Sequence, residues 1–212
     1  MKKLLSLITL ATILWAPAHA NLNDIQLGEP GYGGSGCPAG SASATLSPDN
    51  KSLSIIFDEY FVEAGASNRR RLARKNCSIA IPVHVPQGFS VSIIDVDYRG
   101  YVSLPRGAQA RFSAEYFFAG IRGPKFNKTF RGATDEDYVL RNRLGVQATV
   151  WSKCGADVNL RVNSSMMVRV RSTRDDALAT VDSADFSSGI IYQLQWKKCN
   201  EQQDEDDFDD WF

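Results

Sequence analysis

From Ser41 onward the apolar residues of this chain recur at every second position rather than every third or fourth. That period belongs to a β-strand, whose successive side chains point to opposite faces. The run 77–85 is the clearest case. Cys77, Ile79, Ile81, Val83 and Val85 face one way, and Ser78, Ala80, Pro82 and His84 face the other. Pro82 cannot donate to a ladder, which predicts an edge or bulged strand. Runs 41–46 and 52–57 flank the turn cluster Ser47-Pro48-Asp49-Asn50, and Leu53, Ile55 and Phe57 share one face of the second. Further strands are predicted over 89–98, 101–104 and 110–118. In 146–154, Val146, Ala148, Val150 and Cys154 oppose Gln147, Thr149, Trp151 and Lys153. Over 158–171 the parity holds from Val158 to Val170, so an unbroken strand and a turn at Asn163-Ser164-Ser165 both fit. The run 190–197 sets Ile190, Tyr192, Leu194 and Trp196 against Ile191, Gln193, Gln195 and Lys197.

Helical spacing is weak throughout. Residues 62–76 could hold a short helix around Arg69–Lys75, and 120–143, rich in Gly, Asn and charge, reads as a long connection with at most one strand. Many short alternating strands with one apolar face predict an all-β fold, an antiparallel β-sandwich of two sheets packed face to face.

The first 20 residues have the form of a secretory signal peptide. Lys2 and Lys3 precede an apolar stretch, Leu4 to Trp15, and Ala18-His19-Ala20 fits the small-x-small cleavage rule. The apolar stretch is shorter than the roughly 20 residues that cross a bilayer, so the expectation is export, to the periplasm or beyond, without a transmembrane segment. In an oxidising destination the four cysteines, Cys37, Cys77, Cys154 and Cys199, read as two disulfides. None forms a C-x-x-C pair, which argues against a zinc ribbon or a redox site. Four cysteines allow three pairings, and spacing does not choose among them. Cys37–Cys77 with Cys154–Cys199 is favoured, because each bond then staples one terminal part of the fold.

The expected organisation is therefore a signal peptide over 1–20, a glycine-rich flexible lead-in over 21–36, a β-sandwich over 37–200 and an acidic tail over 201–212. The glycine run lacks the Lys-Ser/Thr of a phosphate-cradling loop. Net charge over the whole chain is zero, which gives no reason to expect a nucleic-acid partner. The charge is unevenly spread, however. The tail EQQDEDDFDDWF carries seven acids and no base, leaving 21–200 with 22 basic and 17 acidic residues, a net of +5. Such a tail should self-repel and stay solvated, with an option to fold back on Arg69–Lys75.

Several motifs occur in a fixed order: Gly36-Cys37-Pro38-Ala39-Gly40-Ser41, Ser47-Pro48-Asp49, Phe57-Asp58-Glu59-Tyr60, Lys75-Asn76-Cys77, Pro86-Gln87-Gly88-Phe89, Arg99-Gly100-Tyr101, Trp151-Ser152-Lys153-Cys154-Gly155 and Trp196-Lys197-Lys198-Cys199. Taken together, they resemble a secreted four-cysteine family of bacteria and fungi catalogued as a domain of unknown function. The resemblance spans about 37–199 and implies a small extracellular, disulfide-containing β domain. It supplies no catalytic residues, and the acidic tail lies outside it.

Candidate chemistry is sparse. Once the leader is removed, His84 is the single histidine, and it has no Gly-x-Ser-x-Gly elbow, so a Ser-His-Asp site is not expected. Asp58/Glu59, Asp95/Asp97 and Asp135/Glu136/Asp137 are the carboxylate groups that a glycosidase could use. Asp95 and Asp97 lie about 7 Å apart on one strand face. The acidic runs lack EF-hand spacing, so no metal and no cofactor is expected. Two binding features remain. Arg69, Arg70 and Arg71 open a basic run suited to a polyanion, and Trp151, Tyr98 and Tyr101 could stack on a glycan. The reading is a non-catalytic secreted or envelope-associated protein that binds a polysaccharide, a polyanion or a surface protein. The alternatives are a hydrolase acting on an envelope polymer through paired carboxylates, and a structural coat protein.

Overall fold

A computed structural model describes residues 26–28, 31–48, 52–118, 121–143, 151–181 and 190–199. The leader 1–20 and the tail 201–212 lie outside the described residues, as does most of the strand expected over 146–154. The strands are β1 (Gln26–Leu27), β2 (Gly31–Gly33), β3 (Ala42–Leu46), β4 (Ser52–Phe57), β5 (Phe61–Ala64), β6 (Leu72–His84), β7 (Phe89–Leu104), β8 (Gln109–Phe118), β9 (Ile121–Arg131), β10 (Thr134–Arg143), β11 (Val158–Arg169), β12 (Ala177–Thr180) and β13 (Ile190–Lys198). No helix occurs among the described residues.

Among the described residues these strands form two antiparallel sheets. The six-stranded sheet runs β1-β6-β11-β8-β9, with β2 also on β6. The seven-stranded sheet runs β3-β4-β13-β7-β12-β5, with β10 also on β7. The fold is thus the all-β, disulfide-linked antiparallel sandwich that the alternation predicts. Inward parity holds as read: Cys77, Ile79, Ile81 and Val83 of β6 are buried, as are Leu160, Val162, Met166 and Val168 of β11. The sheets meet through Tyr98 of β7, whose ring lies 4.7 Å from Phe112 of β8 and 5.6 Å from Phe126 of β9. Phe130 of β9 meets Tyr138 of β10 at 4.8 Å.

The differences from expectation have physical reasons. No helix forms around Arg69–Lys75, because residues from Leu72 onward are already β6, held in register from Leu72↔Arg169 to Val83↔Val158. The stretch 120–143 holds two strands rather than at most one; both are tethered on one side to long partners, β8 and β7. The candidates 89–98 and 101–104 are one strand, and β11 runs through Asn163-Ser164-Ser165 unbroken. The glycine-rich lead-in contributes β1 and β2, which pair with the flank of β6 at Pro82, where the missing donor is tolerated and the proline carbonyl accepts from Gly28 N–H at 2.9 Å. Gly34 is obligatory there. Its φ is +142°, and a Cβ would fall 2.2 Å from the Asn76 carbonyl oxygen.

Both disulfides pair as favoured. Cys37–Cys77 is fully buried against the inner face of β6. Cys154–Cys199 joins the 151–157 connection to the end of β13. Cys154 itself is half-buried in a turn rather than inward on a strand, because the chain turns at Cys154-Gly155, with Gly155 at a left-handed φ of 57°.

Candidate functional site

The outer face of the six-stranded sheet is built from the positions that alternate with its core. Its cross-strand rows can be read from the register. The central row is neutral and polar: Asn76, Ser165, Ser113 and Asn127. There Ser113 Oγ donates to Asn127 Oδ1 at 2.8 Å, and Arg111 Nη2 reaches the same oxygen at 3.1 Å. Arg74 Nη2 donates to Ser165 Oγ at 3.0 Å. On one side lies Arg74–Met167–Arg111–Thr129; beyond it comes Leu72–Arg169–Gln109–Arg131. On the other side, Ser78–Asn163–Glu115–Lys125 is followed by Ala80–Arg161–Phe117–Arg122. Glu115 is the one acid among these described positions. It is shared by Arg122 at 3.1 Å and Lys125 at 3.4 Å. A shallow cavity of about 570 Å³ spans the central rows. A second, of about 640 Å³, lies at the Arg131 end and is lined by Arg71, Arg131, Arg169 and Arg171 among others.

The outer face of the seven-stranded sheet differs. Several of its charges have partners across β7 and β10, while Arg99 stands opposite Val139. Asp97 stands opposite Arg141, and Asp135 accepts from the hydroxyls of Tyr101 and Ser103. The Asp135 carboxylate raises the Tyr101 hydroxyl above its ordinary pKa by holding the phenolic proton. One sheet face is therefore balanced, while the other presents a surplus of cations.

The predicted binding residues separate. Tyr98 is fully buried, and its hydroxyl meets that of Tyr116 inside the sandwich, so it is a core residue and not a sugar platform. Tyr101 is partly exposed beside Asp135. Trp151 is half-buried, with Lys197 Nζ 4.7 Å above its ring. Trp151 adjoins Ser152, which bonds β7 at Val91, ten residues from Tyr101. Strand rise puts about 33 Å between those two levels, so the aromatics share no surface. His84 Nδ1 lies 2.7 Å from Asp157 Oδ1, and both side chains are largely exposed.

The basic run also divides. Arg69 and Arg70 are exposed in the tight turn between β5 and β6, where Arg69 adopts a left-handed φ of 56°. Asn68 braces that turn, donating to Glu63 O at 2.7 Å and accepting from Arg70 N–H at 3.0 Å. Arg71 lines the larger cavity, Arg74 joins the outer face, and Lys75 turns the other way, 4.2 Å above the Phe61 ring. The structure adds Arg111, Lys125, Arg131, Arg169 and Arg171, which the sequence reading did not single out. The signal was present in the parity of 158–171, where Arg161, Arg169 and Arg171 all oppose the apolar set.

The fold and its cysteine frame define a disulfide-stapled β domain. The family described as "Domain of unknown function (DUF4360)" matches residues 23–199, and the chain belongs to it. An "Uncharacterized secreted protein" of Arthroderma benhamiae (strain ATCC MYA-4681 / CBS 112371) is 35% identical over 169 residues, 79% of this chain and 69% of the relative. The protein is a secreted member of that family, in agreement with the leader read in residues 1–20.

Proposed function

We propose that this protein is a non-catalytic binding module for an anionic polysaccharide, held along the outer face of the six-stranded sheet. One observation carries the reading: that face sets Arg74, Arg111, Lys125, Arg131, Arg161 and Arg169 around a polar centre with Glu115 as the one described acid. Guanidinium forks suit carboxylate and sulfate groups, and the neutral Ser and Asn row supplies hydrogen bonds for hydroxyls. Two of the carboxylates a hydrolase could use have cationic or hydrogen-bonding neighbours across β7 and β10. Asp97 faces Arg141, and Asp135 is bound by Tyr101.

The test is binding of the mature protein to polygalacturonate, with dextran as the neutral control, at several salt concentrations. The acidic polymer should bind and weaken steadily with salt, because the contacts are exposed ion pairs. The double variant Arg111→Ala/Lys125→Ala should flatten that salt dependence while keeping its thermal midpoint. Equal binding of dextran and polygalacturonate, or a salt dependence unchanged in the double variant, would overturn the reading.

A further inference from the structure

We infer that the cavity at the Arg131 end of the six-stranded sheet is a discrete site for one oxyanion group, a carboxylate, sulfate or phosphate carried on a sugar-sized molecule. The inference rests on the polysaccharide reading for the source of its ligand but not for its chemistry. Arg71, Arg131, Arg169 and Arg171 line this one cavity, and among the described residues no acid lines it with them. They arrive from separate places: the turn before β6, the end of β9, the end of β11 and the segment after it. Arg131 and Arg169 flank Gln109 in a single cross-strand row. Their backbones therefore stand two strand spacings apart, about 10 Å, and their long side chains can close on one group from both sides.

Among the described residues none of these arginines has an ion-pair partner; the ion pairs present involve His84, Arg122 and Lys125. Like charges gathered around one cavity repel, and a bound anion removes that repulsion while accepting forked hydrogen bonds. The cavity, about 640 Å³, falls within the roughly 300–1,000 Å³ usual for small-ligand sites. Its wall is partly apolar. Leu72 is 54% exposed there, beside Ala108 and Val170, and offers a surface for the carbon face of a sugar ring. Gly107 seats Arg171: a Cβ at that position would lie 3.1 Å from Arg171 Cδ, and φ is +82°.

The experiment is calorimetric titration of the full disulfide-bonded chain with sodium sulfate, sodium phosphate and sodium glucuronate, against sodium chloride and glucose as controls. Saturable binding of at least one oxyanion, with none of glucose, is the expected result. Arg131→Ala and Arg169→Ala should each weaken it roughly ten- to hundredfold, the loss of one charge-assisted pair. Arg131→Lys, which keeps charge and stem but loses the fork, should fall between wild type and Arg131→Ala, and Lys153→Ala, exposed in the 151–157 connection outside the cavity, should bind as wild type does. A preference for sulfate and phosphate over glucuronate assigns a tetrahedral group; the reverse assigns a uronate. Absence of saturable binding beyond the chloride control overturns the inference. So does unchanged affinity in both alanine variants with their thermal midpoints retained. If polygalacturonate binds through Arg111 and Lys125 but no small oxyanion does, the inference falls and the proposed function stands. If the small oxyanions bind and the polymer does not, the proposed function falls and the anion site stands.

Discussion

The turn between β5 and β6 shows how single residues set the position of Arg71. Its backbone reverses through a left-handed Arg69, a conformation that costs an L-residue about 1–2 kcal/mol. The cost is offset by side chains that bond the turn's own backbone. Asn68 bonds Glu63 O and Arg70 N–H, and Asp176 Oδ1 accepts from Ser67 N–H at 2.7 Å. That backbone hydrogen bond from Ser67 is the main reason the Asp176 carboxyl sits below its ordinary pKa. A depressed folded pKa stabilises the turn at pH values above the unfolded carboxylate value, and that stabilisation disappears as pH falls through the lower folded value. The amide of Ser67 should therefore be protected from hydrogen exchange at neutral pH and lose that protection in acid. Asp176→Asn, which keeps an acceptor without a titrating group, should make the protection independent of pH. If wild-type protection is flat down to strong acid, Asp176 does not hold the turn through its charge.

Among the elements, β11, β13 and the part of β6 from Cys77 onward were legible in the sequence because one face is apolar at nearly every alternate residue, whereas the first half of β6, with Lys75 on that face, read as helix. Strands β9 and β10 were not. Their inner faces carry aromatics at few positions (Phe126 and Phe130 of β9, Tyr138 of β10), and charged residues dominate the remainder. Gly123-Pro124 and the register shift near Glu115/Phe117 break the period further. What fixes these strands is the ladder to their long partners, and a non-local hydrogen-bond ladder leaves no local sequence signal. The arginine cavity was hidden for the same reason: Arg131 stood in a stretch read as a connection. The observed disulfide pairing is the one favoured from where the cysteines fall, though spacing left three open, and their unequal exposure was not legible. Cys37 and Cys77 are sealed in the core, whereas Cys154 and Cys199 sit half-buried at the end of the sandwich. Each bond closes a loop of 40 or 45 residues, worth about 4 kcal/mol by chain entropy. Their thermodynamic weight is thus similar, and access decides which is reduced first. Limiting reductant followed by alkylation and mass mapping should label Cys154 and Cys199 while Cys37–Cys77 stays intact. Label appearing first on Cys37 and Cys77 would mean that the sandwich opens before its end does.

On the scale of the whole molecule, the two sheets are joined by apolar packing and by a small set of buried phenols. Tyr98 of the seven-stranded sheet meets Tyr116 of the six-stranded sheet, and Asn142 Nδ2 donates to the Tyr116 hydroxyl at 3.0 Å. Tyr60, at the start of β5, bonds Ser164 of β11 at 3.2 Å, and Ser164 in turn donates to Cys77 O at 3.3 Å. Burial penalises the phenolate in both places. It pushes Tyr116 up to about 12 and Tyr60 higher still, from an ordinary value of 10.0. These groups bind protons more tightly in the folded state, so their contribution to stability is complete below pH 10.0 and is lost as pH rises toward the folded values. Deprotonation would place charges between the sheets, where no described cation other than Arg74 acts on either phenol. Alkaline unfolding should therefore be cooperative, beginning above the pH at which free tyrosine ionises. Phenolate absorbance and the β-sheet circular dichroism signal should change together. Tyr60→Phe/Tyr116→Phe removes both titrating groups. It should cost stability at neutral pH, about 1–3 kcal/mol for each polar partner left unbonded, yet lose less of what remains on going to alkaline pH. If the phenols of the wild type ionise gradually, with the sheet signal intact, the sheets are held by apolar packing and disulfides alone, and the buried hydroxyls are passengers in the interface.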